Sequence, residues 1–216
     1  MSHASFASRT GPPAVLTPEK TFAPSRGRDP LCGLFFRRFA TALAVLASTA
    51  HAQPKLATDI KASEIQAVVD APTGGTDRQI KVVDIGTHNV AVGVLRRGKT
   101  QPGAPVGAIL HADVTEVYYV VSGSGTLLTG GTVENAKAAP ADSEIVKIAV
   151  GPSTNAVFKE PAQRRKVQAG DMVIIPAGVY HGFTDITDHI EYVSVRSDPK
   201  HVLPAGYVSP VIAGGK

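Results

Sequence analysis

The sequence predicts an all-β fold, a sandwich or a barrel. Three observations predict it. From about residue 78 onward, short runs rich in Val and Ile recur, as at 79–85, 89–95 and 190–196. Glycine-bearing turns separate these runs. Only one short stretch, 63–69, carries a helical pattern. Many short strands with almost no helix are the mark of a sandwich or barrel.

The first part of the chain stands apart from this pattern. Residues 1–36 are rich in Ser, Pro, Gly and Arg and show no apolar periodicity. Arg37-Arg38, the apolar run 39–47 and the Ala50-x-Ala52 end together form a secretory signal peptide, with cleavage expected after Ala52. The apolar run is roughly half of the ~20 residues that span a bilayer, so no retained anchor is expected. Two arginines followed by Phe39 also hint at twin-arginine export. The segment ahead of them is long for an export signal, which suits a start assigned too early. An organellar transit peptide is the rival reading, and the compact apolar core favours export instead. Residues 1–52 are therefore read as a leader, and the mature protein as periplasmic or secreted in a bacterium.

Removing the leader changes the charge. Of 22 Lys and Arg, six lie before residue 53, leaving 16; of 18 Asp and Glu, two lie there, also leaving 16. The mature chain is near neutral, which removes support for nucleic-acid binding by a basic face. The single cysteine, Cys32, leaves with the leader, so neither thiol chemistry nor disulfides are expected. Metal ligands must then be His, Asp or Glu.

In order along the mature chain, 53–77 is read as an N-terminal helix and linker, with Ser63 capping a helix over 63–69 whose Ile65, Val68 and Val69 share a face. The runs 79–85 and 89–95 form a hairpin around Gly86-Thr87-His88, with His88 solvated in the turn. Residues 96–99 read as a solvated basic connection. Further strands are expected at 107–111, 116–121, 126–129, 145–150, 164–167, 172–175, 181–184 and 190–196. Residues 130–143 read as an irregular loop and 151–162 as turns. Asp198-Pro199 closes the sheet, and 199–216 is a tail lying on the outside. The barrel is thus expected over 78–198.

Two stretches carry chemistry. Residues 110–125 hold His111, Asp113 and Glu116 ahead of an apolar strand ending at Gly123 and Gly125, and 170–185 supplies His181. Gly170, five residues, Pro176-x-Gly178, two residues and His181 resemble the second motif of the cupin superfamily, with Asp185 where Asn is usual. The first motif of that family runs Gly, five residues, His-x-His, three or four residues, Glu, six residues, Gly. It matches at Gly103, His111, Glu116 and Gly123, and departs at Ile109, which stands at the first His.

The resemblance implies a cupin-type double-stranded β-helix (jelly-roll) barrel with a short N-terminal helix. It also implies a divalent metal inside, held by His111, Glu116 and His181. Two imidazoles and a carboxylate suit Fe(II), Mn, Ni, Co or Zn and leave positions open. Asp113 is a candidate fourth ligand by strand parity, or a residue outside the ligand set. Tyr118 alternates with Glu116 and is read either as core filler or as a substrate-facing, catalytic residue, whereas Tyr119 should face out. Phe183 is read as cavity wall, sharing a face with His181 and Asp185. Arg196 is read as a surface residue at a strand end, and His189 and His201 as structural or solvated. The resemblance further implies oxygenase, isomerase or lyase chemistry on a small polar molecule, or binding without turnover, or a metal-free scaffold; a homodimer is expected.

Overall fold

Alternation of buried and outward residues builds the barrel in the computed structural model, which describes residues 56–72 and 75–214. The leader, its cleavage site and Cys32 lie outside the described residues. In chain order the elements are α1 (Ala62–Asp70), β1 (Asp77–Asp84), β2 (Asn89–Gly98), β3 (Gly107–His111) and β4 (Thr115–Ala138). A π-helical turn (Ile145–Val150) follows, then β5 (Ser153–Gln168), β6 (Met172–Ile175), β7 (His181–Thr184), β8 (His189–Asp198) and α2 (Pro210–Ala213). This is the predicted double-stranded β-helix.

All strand pairings are antiparallel. The first sheet runs β1-β2-β8-β4-β6. In the second, β4 pairs β5, β5 pairs β3, β3 pairs β7, and β7 returns to β4, which closes the ladder on itself. Closure removes exposed edges. The long β4 serves both sheets: residues 115–123 lie beside β8, and 124–138 beside β5. Its change of sheet is made at Gly123, whose φ of 71° suits glycine. A Cβ there would also overlap the backbone carbonyl of His189. Between the sheets, Leu95, Tyr118, Leu127, Phe183, Ile190 and Tyr192 form the main core.

On the outer face, Val68 and Val69 of α1 pack on Ile80 and Val94. Arg78 fixes the helix end by donating from Nη1 to the carbonyls of Val68, Val69 and Ala71 at 2.7, 2.8 and 2.8 Å. A cation there also meets the negative end of the helix dipole. Beyond β8, the tail returns to β1, where Ser209 N–H donates to Ile80 O at 2.8 Å.

Several sequence expectations are corrected. The helix begins at Ala62, with Lys61 at its N-cap, so Ser63 lies inside it and does not cap; instead Glu64 accepts the Lys61 N–H at 3.0 Å. Residues 96–98 belong to β2 rather than to a loop. The stretch 130–143 is mostly strand, and 151–162 lies largely in β5, because Gly131 and Pro161 sit opposite one another in the β4–β5 ladder and extend it. The run Ile145–Val150 is a π-helical turn, not a strand. Short apolar runs are ambiguous between the two, and Ala149 and Val150 are the buried residues of this one.

Candidate metal centre

Three elements deliver the site. His111 ends β3, Glu116 lies at the start of β4, and His181 opens β7. The turn before His181 is tied back to the first stretch: Gly178 N–H donates to His111 O at 2.8 Å and Ala177 N–H to Thr115 Oγ1 at 3.2 Å. Gly178 has φ 80°, a left-handed conformation that glycine adopts freely.

The three side chains are buried and converge. His111 Nε2 lies 3.2 Å and His181 Nε2 3.3 Å from the same oxygen, Glu116 Oε2. The ligand atoms all lie within 4.8 Å of one another. Two donors bound about 2.1 Å from one ion, at angles of 90–110°, stand roughly 3.0–3.4 Å apart, so these separations suit a shared ion.

Hydrogen bonds on the far side of each ring fix its tautomer. Ser153 Oγ donates to Gly151 O at 2.8 Å, so it accepts from His111 Nδ1 at 2.9 Å. His181 Nδ1 lies 3.0 Å from Val179 O, a carbonyl that can only accept. Both rings therefore carry their proton on Nδ1. Burial lowers the proton affinity of His111, and the hydrogen bond and charge of Glu116 offset this only in part. A neutral ring then aims a bare Nε2 lone pair at a carboxylate oxygen. Either a second proton on Nε2 or a bound cation satisfies that arrangement, and this orientation by outer partners is usual for metal-binding imidazoles.

Glu116 is held as a carboxylate. Burial pushes its pKa up, but hydrogen bonds from His111 and His181, made when Nε2 is protonated, and the charge of Arg196 outweigh it and hold the carboxyl well below its usual range. Tyr118 Oη donates to Oε2 at 2.8 Å, while Ser194 Oγ and Arg196 Nε donate to Oε1 at 2.8 and 3.1 Å. Burial and the nearby Glu116 charge push the Tyr118 hydroxyl well above its ordinary value, so it stays protonated.

Arg196 was read from the sequence as a surface residue, and that is corrected: it is fully buried. Its Nη1 donates to Gln79 Oε1 and Ala149 O at 2.6 and 3.0 Å, and its Nη2 to both Asp77 oxygens at 2.6 Å. Gly93 leaves the space it needs, since a Cβ there would come within 2.7 Å of Nη1. The alternation Ile190, Tyr192, Ser194, Arg196 was the signal available in the sequence, because all four share a face.

Asp113 is not brought into the cluster. Its carboxylate pairs with Lys200 Nζ at 2.8 Å. Ile109, at the position of the missing imidazole, sits opposite His181 in the ladder and lines an interior cavity of about 560 Å³. His111, His181, Tyr118 and Arg97 line the same cavity. Arg97, read from the sequence as part of a solvated loop, is a further residue the sequence reading missed. Tyr119 faces out and Phe183 is buried beside Tyr118. Asp185 is exposed beside Arg164, with φ 53°, a conformation that Asp and Asn tolerate. His189 bonds Asp188 and Ser122, His201 is exposed, and His88 bonds its neighbour Thr87.

Comparison with known proteins gives one family. The profile described as "Cupin" matches residues 60–209. No curated protein sequence matches the chain. Among solved structures, the chain is similar to BH2720 of Bacillus halodurans at 14% identity, over 69% of this chain and 86% of that one, with a TM-score of 0.42. It is also similar to a conserved Klebsiella pneumoniae protein with a double-stranded β-helix domain, at 17% identity over 60% and 84% of the two chains, TM-score 0.34. A third is Fe(II)-HppE, solved with the alternative substrate (S)-1-HPP, at 12% identity over 49% of this chain and 41% of that one, TM-score 0.34.

Proposed function

The chain belongs to the cupin family, and on that premise we propose that it is an exported, metal-dependent cupin acting on a small polar molecule inside its barrel. The observation that carries this reading is the convergence of His111 Nε2 and His181 Nε2 on Glu116 Oε2, with both rings protonated on Nδ1. A divalent ion bound there supplies a Lewis-acid centre with open coordination positions.

The chain's own residues do the rest. His111 and His181 present lone pairs, and Glu116 presents a charge that Arg196 and Ser194 hold in place. Tyr118 lines the cavity and keeps its proton directed at Glu116 Oε2, so it orients the carboxylate and offers its ring to whatever enters. Ile109 leaves an apolar wall where a further imidazole would otherwise stand, which keeps one more position on the ion open.

Binding without turnover is the second reading. It is favoured by the bond between Tyr118 and Glu116, which occupies the one hydroxyl among the described residues that bonds the carboxylate oxygen both rings face. The proposal extends to a homodimer formed on the outer face of the first sheet. There Tyr119, Met172 and Ile174 are 46%, 65% and 67% exposed, with Tyr119 paired to Met172 across the ladder. An exposed apolar cluster of this kind is a usual mark of an interface.

Elemental analysis of the purified protein, before and after incubation with Fe(II), Mn, Ni or Zn, tests the metal centre. About one ion per chain is expected, and no bound ion under any condition would sink the reading. Oxygen uptake with Fe(II) and catechols or diketones then separates an oxygenase from a binder. N-terminal sequencing of the exported protein is expected to begin at Gln53.

A further inference from the structure

We infer that Arg97 forms an anion subsite in the interior cavity, and that the molecule handled there is a compact organic carboxylate with an apolar body. Arg96 and Arg97 leave β2 on opposite faces. Arg96 is exposed and reaches Glu191 at 4.0 Å. Arg97 turns onto the cavity wall. Its Nε donates to Tyr192 Oη at 2.9 Å, and its guanidinium lies 5.6 Å from the centre of the Phe183 ring. These contacts hold one edge of a planar group. Its two terminal nitrogens have no acceptor among the described residues, and a guanidinium fork is matched to a carboxylate.

The charge of the interior argues for the same ligand. Arg196, the other interior arginine, is paired with Asp77 and Glu116. Arg97 has no carboxylate of its own among the described residues. With a divalent ion in place, two arginines and the ion face two carboxylates, an excess of two positive charges. Arg78, bonded to the α1 carbonyls, and the exposed Glu144 also line the cavity and balance each other. An excess of one sign of charge in a partly enclosed cavity draws in a ligand of the opposite sign. A second donor adds to this. Gln79 lines the cavity, and its buried Nε2 has no acceptor among the described residues.

The remaining wall is apolar. Leu95, Ile109, Ile145 and Ile148 line the cavity together with Tyr118. A cavity of about 560 Å³ falls within the range of small-ligand sites. That the carboxylate is a substrate, and the excess of charge that draws it in, rest on the metal-centre reading; that it binds at Arg97 rests on the open edge of the guanidinium.

Benzoate and benzamide share a ring and a size and differ in charge, which makes them suitable probes. The purified protein, as isolated and after chelator treatment, is titrated calorimetrically with each. Benzoate is expected to bind at least about tenfold more tightly than benzamide in both preparations. Arg97→Gln is expected to abolish that preference while leaving benzamide affinity and metal content unchanged. Equal affinities for the wild type, no saturable benzoate binding, or a preference that survives Arg97→Gln would overturn the subsite. Should Arg97→Gln not fold, Arg97→Lys keeps the charge and the stem without the fork; it is expected to weaken benzoate alone, and an unchanged benzoate affinity would overturn the proposal. A protein that binds no metal yet keeps the benzoate preference would remove the metal-centre reading and leave the subsite standing.

Discussion

Ser153 touches no ligand position, yet its bond to His111 Nδ1 decides which ring nitrogen is free to bind an ion. Ser153→Ala is expected to weaken metal affinity by about 10–100-fold, measured by competition with a chromophoric chelator, with the barrel still folded. Arg196 is a harder case. Replacing it by Met leaves Glu116 buried, and Asp77 part-buried, without a counter-charge, and a loss of roughly 3–5 kcal/mol is expected in urea unfolding. Acid should act in one direction on the metal-free protein. Burial lowers the pKa of His111 from its ordinary 6.5, so below about pH 6.5 the unfolded chain takes up a proton that the folded chain refuses. Glu116 is depressed from its ordinary 4.5, so its contribution is full above that value and fades as pH falls through its folded pKa. Both signs predict a melting temperature that falls on acidification, beginning near pH 6.5, and His111→Asn should flatten the first part of that fall. The convergence of His111, Glu116 and His181 was legible in the sequence because motif spacing places them together. Arg196 and Arg97 were not, because charged residues at strand ends or in basic pairs are ordinarily solvated.

At the level of elements, local signals worked where one element decides its own form. The 107–111, 172–175 and 181–184 strands stand as their apolar runs and flanking turns indicate. They failed where a partner decides. Gly130-Gly131 and Pro161 each read as chain breakers, but set across from one another they form an irregular ladder between β4 and β5. The π-helical turn is a similar case: its Ala149 carbonyl is the one that accepts Arg196 Nη1, a long-range contact that composition cannot display. The helix α1 depends on its outer contacts in the same way. Arg78→Ala removes the donors to three of its last carbonyls, and a loss of about 1–3 kcal/mol is expected, read from urea unfolding together with reduced helical circular dichroism.

At the level of the whole molecule, the barrel follows from two motifs, but the cavity does not. Its walls come from the end of α1, the π-helical turn, β2 and the tail, which lie far apart in the sequence and meet only after folding. The outer apolar face is likewise a product of register, since Val117 and Tyr119 line up with Ile174 and Met172 only once β6 is in place. If the proposed homodimer forms on this face, Ile174→Lys is expected to give a monomer in sedimentation or light scattering where the unmodified protein is a dimer, without changing metal content. The place of β8 has a further consequence, for the order in which the protein is made. It is the last strand among the described residues, yet it lies between β2 and β4 and brings both Ser194 and Arg196 to Glu116. While that segment is still inside the ribosome or a translocation channel, the first sheet has a gap at its centre and the carboxylate lacks its arginine. The candidate site is therefore complete only once β8 itself has emerged.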